Sequence, residues 1–128
     1  MMNAMQNESL IIAGGIFNLL FIAFHLSFSK LFNWTEELSL LTAINRSVMR
    51  ILNLCLIFTF GIFAYISLFH YGELVTHPLG KTLLILMSLF WLFRAGLQVV
   101  FFGLKYWGSI VFFVIFLFGA TIYLIPVI

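Results

Sequence analysis

Residues 83–103 read LLILMSLFWLFRAGLQVVFFG, an apolar run of span length that carries one charged side chain, Arg94, and one amide, Gln98. About 20 such residues cross the ~30 Å hydrocarbon layer of a bilayer. A guanidinium far inside that layer costs between roughly 2.5 and more than 10 kcal/mol, depending on how it is measured, so it must face a partner, water or a ligand. Trp91, Arg94 and Gln98 recur at intervals of three and four, which places them on one helix face. This stretch predicts a membrane-spanning helix with one polar side.

Three more runs of similar character flank it, at about 10–29, 46–70 and 109–125. With 64% hydrophobic and only 8% charged residues, the chain lies far outside the balance of a soluble domain. The expectation is an all-α fold, an integral membrane four-helix transmembrane bundle forming a single domain over 1–128, with no room for a soluble domain. Met1 to Leu10 holds no Lys or Arg, so the first run reads as a retained span rather than a secretory signal. The connections after spans one and three, with their flanks, hold Lys30, Arg46, Arg50 and Lys105 against Lys81 on the other side. The positive-inside rule then puts both termini outside a cytoplasmic membrane, bacterial by expectation. So few and scattered basic residues exclude nucleic acid as a partner. The lone Cys55 excludes an intramolecular disulfide.

Along span one, Gly14, Asn18, His25 and Ser29 share a stripe, and on span two Arg46, Arg50, Asn53, Ile57, Gly61 and Ala64 lie on one side. Between these spans Thr35 reads as the N-cap of a short interfacial helix carrying Glu36, Glu37 and Leu38. Gly72, Pro78 and Gly80 are expected to break the chain before span three. Span four holds little polarity beyond Thr121 and Tyr123 and reads as structural, with Gly119 permitting close helix approach. That scarcity points to a homo-oligomer or to a subunit of a membrane complex.

Counting ~1.5 Å of rise per residue, His25, Asn53 and Gln98 fall roughly 7–11 Å inside the cytoplasmic boundary, with Arg94 a turn deeper. Packed together, the spans would gather Asn18, His25, Arg50, Asn53, Arg94 and Gln98 into an inner-leaflet pocket. No carboxylate lies within a span to neutralise the arginines, and a guanidinium fork suits a phosphate or carboxylate. The expected ligand is an anionic or polar-headed amphiphile or membrane lipid. His25 is the candidate acid or base if the chain is an enzyme acting on such a molecule. The same residues also suit a purely structural role, the basic ones as topology signals and Asn53 and Gln98 as interhelical hydrogen bonds, in an accessory subunit. No cofactor is expected. Haem fails because His25 and His70 lie at opposite depths. No metal is expected either, and the alternative ligand set would be His70, Glu73 and His77.

Through HLSFSKLFNW (25–34), Asn45 with Arg46, and FWLFRAGLQ (90–98), the chain resembles a group of small bacterial four-span membrane proteins. That resemblance implies the four-span architecture and no particular activity. In size and layout alone it is also similar to the four-helix membrane proteins of eicosanoid and glutathione metabolism, from which no residue roles carry over.

Overall fold

The computed structural model describes residues 2–128, which are 89% helical with no strand among them. Helix α1, Ala4–Leu26, starts where Asn3 accepts from the Gln6 amide while Gln6 reaches back to the Asn3 amide, satisfying two donors that the first turn leaves without helical partners. Two single turns follow, α2 (Phe28–Leu31) and α3 (Trp34–Glu37), the latter running into a 3-10 turn at Leu38–Leu40. Thr42 caps α4, Ala43–Phe69, by accepting from the Asn45 amide. The chain then continues through α5 (Tyr71–Thr76), α6 (Pro78–Phe102) and α7 (Trp107–Leu124), ending in a 3-10 turn at Ile125–Val127. Four of the helices are long and apolar enough to cross a membrane, and the protein is an all-α integral membrane bundle.

Local expectations need correction at two connections. Thr35 does not cap the interfacial helix but lies within α3. The N-cap position is Asn33, held in the left-handed region at φ 50°, and its amide donates to Glu36 Oε2 at 3.0 Å. Asparagine tolerates that backbone because its short polar side chain bonds locally. The chain does break ahead of span three, with α5 ending at Thr76 and His77 extended, but Gly72 lies within α5, and Pro78 and Gly80 also begin the span. Proline in a first turn forfeits only an N–H that has no helical acceptor, and Gly80 is required because a Cβ there would run into the Glu73–Leu74 backbone of α5.

The tightest pairings are α6 with α7 and α1 with α4, and α1 also meets α7, whereas the α4 and α6 backbones do not pack closely. Small residues set these approaches, as expected where helices pack without a hydrophobic driving force between them. Gly14 receives the Tyr123 ring, Gly15 receives Leu68, and Gly119 receives Phe17 and Trp91. Buried hydrogen bonds tie α1, α4 and α7 together: Asn18 Nδ2 donates to Gly14 O at 2.8 Å and to Tyr123 Oη at 2.9 Å, and Ser67 shares a 2.7 Å bond with Tyr123. Met2, Asn7, Ile125 and Ile128 line one hollow, so both ends of the chain lie together. The 27–42 and 103–106 connections occupy the opposite end of the bundle.

Replacing Gly119 with Leu should force Phe17 and Trp91 off α7 and destabilise the bundle by about 1–3 kcal/mol. Gly61→Leu, where nothing lies within 4 Å of an added Cβ, should change stability by no more than about 0.5 kcal/mol. Thermal unfolding of the two variants in one neutral detergent makes the comparison.

Candidate functional site

Because α4 and α6 stand apart, the bundle opens into a cleft of about 950 Å³ at the end covered by the 27–42 connection, near the upper end of the range for small-molecule sites. Its floor is aromatic. Trp91, fully buried, lies parallel to Phe60 with centroids 5.3 Å apart and to Phe116 at 6.0 Å, while Phe17 meets it edge-on at 4.8 Å. Trp34 and Leu38 close over the cleft from the connection, which Arg46 holds by donating from Nε to Leu38 O at 3.0 Å and from Nη2 to Leu41 O at 3.1 Å.

On one wall, His25 of α1 pairs with Asn53 of α4. Asn53 Nδ2 donates to His25 O at 3.1 Å, and Asn53 Oδ1 lies 2.8 Å from His25 Nδ1. A backbone carbonyl only accepts, so the amide orientation follows, and an Oδ1 that can only accept requires the proton on Nδ1. One face of the imidazole stacks on Phe28 at 4.1 Å, and Phe60 meets it at 5.1 Å with its plane inclined by 61°. Nε2 makes no hydrogen bond among the described residues.

Arg94, half-buried on α6, lines the same cleft, with its Cζ 4.3 Å from the centroid of Phe116. The ring face attracts the cation, a contact worth about 0.5–2 kcal/mol depending on desolvation. It uses none of the guanidinium's N–H groups. Although Glu37 lines the same cleft, Arg94 forms no ion pair among the described residues. Gln98, 4% exposed, is tied off: its Nε2 donates to Ser109 Oγ at 2.9 Å, and that hydroxyl donates to Gly103 O at 2.5 Å.

Of the six residues expected at the site, His25, Asn53, Arg94 and Gln98 line the cleft, and Asn18 and Arg50 do not. Asn18 points toward the chain ends, because a helical side chain leans toward its own N-terminus; its Nδ2 holds Tyr123 and Gly14 O, and its buried Oδ1 has no partner among the described residues. Arg50 is exposed on the outer side of α4. His70 Nδ1 pairs with Glu73 Oε1 at 3.0 Å, while His77 occupies the kink between α5 and α6. Among the described residues no three His, Cys, Asp or Glu side chains converge on a metal position. Sequence reasoning left Glu37, on the connection, out of the site and missed the whole contribution of α7. Ser109, Phe112 and Phe116 follow at intervals of three and four, a periodicity that marks one face and was legible. No family model, curated protein or solved structure matches the chain.

The His25–Asn53 geometry predicts that the neutral imidazole carries its proton on Nδ1. Nitrogen-15 NMR of labelled histidine should show a protonated Nδ1 and a bare Nε2 for this residue. Asn53→Leu should shift the ring toward the opposite tautomer, and a bare Nδ1 in the unaltered protein would refute the assignment.

Proposed function

We propose that the chain binds or carries an anionic, polar-headed amphiphile, with the head group against Arg94 and the apolar part among the aromatic side chains of the cleft. The observation that carries this reading is the Arg94 guanidinium, set on a cavity wall over Phe116 with no carboxylate paired to it. A cation that deep is best relieved by an anion, and its planar fork binds phosphate or carboxylate oxygens two at a time. The aromatic lining, chiefly Phe21, Phe24, Phe28, Phe60, Phe112 and Phe116, suits a hydrocarbon tail.

Lys30, Arg46, Arg50 and Lys105 all belong to the end of the bundle that carries the cleft. By the positive-inside rule that end faces the cytoplasm, so we assign the site to the inner leaflet of a bacterial cytoplasmic membrane with both termini outside. Helix α4 has 17% of its span buried against 33% for each of the other three, which makes it the face we assign to a second copy or to a partner subunit. Binding is favoured over turnover because the Ser109 hydroxyl and Gln98 amide that line the cleft are already committed to structural hydrogen bonds.

The test is titration of the purified protein in a neutral detergent with dodecyl phosphate, methyl dodecyl phosphate and zwitterionic dodecylphosphocholine. Both anionic ligands should bind more tightly than the zwitterion. Arg94→Met should weaken the anionic ligands by about ten- to a hundredfold, the value of hydrogen bonds to a charged group. Arg94→Lys should recover part of that loss, since it restores the charge without the fork. Equal binding of all three ligands, or indifference to Arg94→Met, would refute the proposal.

A further inference from the structure

Arg94 offers only donors, whereas His25 offers one atom whose role depends on a proton. Asn53 takes the Nδ1–H edge of the imidazole and Phe28 covers one face, which leaves Nε2 without a partner among the described residues in a cleft that Arg94 also lines. A ligand that fits both groups must give anionic oxygens to the guanidinium and exchange a hydrogen bond with Nε2. When the ring is neutral, Nε2 accepts, so the ligand must also carry an O–H on or beside its anionic centre. When the ring is cationic, Nε2–H donates, and the ligand must offer a further anionic oxygen.

A phosphate monoester meets both conditions with the same total number of protons. Its monoanion donates P–O–H to neutral His25, and its dianion accepts from the imidazolium. A phosphate diester and a simple carboxylate have no O–H to donate when they are anionic. Resting on the amphiphile reading above, we infer that the site is selective for a terminal phosphomonoester on an apolar alcohol or lipid, with Arg94 as the anion clamp and His25 Nε2 as the group that tells monoester from diester. Asn53 is the positioning residue, since it acts only through the imidazole.

The decisive comparison is dodecyl phosphate against methyl dodecyl phosphate, two anions that differ by one O–H, with inorganic phosphate as a third ligand. The unaltered protein should bind the monoester about tenfold more tightly than the diester, one hydrogen bond's worth of discrimination. In His25→Phe the gap should shrink to what the monoester's additional negative charge gains at Arg94, and Asn53→Leu should narrow it. Independently of any variant, adding dodecyl phosphate should shift the His25 Nε2 nitrogen resonance, and the diester should shift it less. Equal affinity for monoester and diester, both sensitive to Arg94→Met, would overturn this inference and leave the amphiphile reading standing. Failure of every dodecyl ligand to bind would overturn both. Inorganic phosphate binding as tightly as dodecyl phosphate would also overturn it, by identifying the ligand as the free anion rather than a lipid.

Discussion

The structure depends on one buried indole. Trp91 is wholly enclosed, with ring contacts to Phe17, Phe21, Phe60, Phe90 and Phe116 on all four spans. Each aromatic pair is worth about 0.5–1.5 kcal/mol beyond area burial. The Trp91 Nε1–H has no acceptor among the described residues, at a cost of about 1–3 kcal/mol for an unsatisfied donor. Five ring contacts outweigh that single loss, so the indole stays where packing puts it. Because a Trp on α6 reaches Phe60 on α4 through its rings, the two helices can be joined without their backbones meeting. The space left between them toward the 27–42 connection is the cleft.

Electrostatics then gives that space its character. Arg94 lies one turn beyond Trp91 on the same face of α6, and Phe116, which stacks on the indole, also carries the guanidinium. One ring therefore serves both the core and the site. In the same cleft, His25 is fixed by two hydrogen bonds to Asn53 and by stacking on Phe28. Neither polar group owes its position to a mobile loop. Both rest on rigid spans, as a site that must hold its geometry in the absence of ligand requires.

The four spans and the polar face of α6 were legible because hydrophobic run length and three-to-four spacing are direct consequences of bilayer thickness and helix geometry. His25, Asn53 and Gln98 could be placed at one depth, with Arg94 a turn deeper, by counting rise. Asn18 and Arg50 could not, because depth says nothing about which way around the helix axis a residue faces once neighbours are chosen. Asn18 was claimed by Tyr123, whose approach depends on Gly14, a pairing 105 residues apart in sequence that no local pattern encodes. Span ends were blurred for a related reason: Asn3 and Thr42 start helices by hydrogen bonds to backbone amides, signals weaker than hydropathy.

Because the tightest helix pairings join spans that are neighbours in sequence, the molecule is two helical hairpins, 4–69 and 78–124, docked along α1 and α7. Each hairpin can complete its internal contacts before the other is made, the local pairing that favours rapid assembly. His25 and Asn53 belong to the first hairpin, Arg94 and Phe116 to the second, so the cleft is the seam between them. A molecule held by both walls staples the halves, and its binding free energy adds directly to the cohesion of the folded state. For a protein with so little interior of its own, occupancy of the proposed site would shift the same equilibrium that holds the two hairpins together.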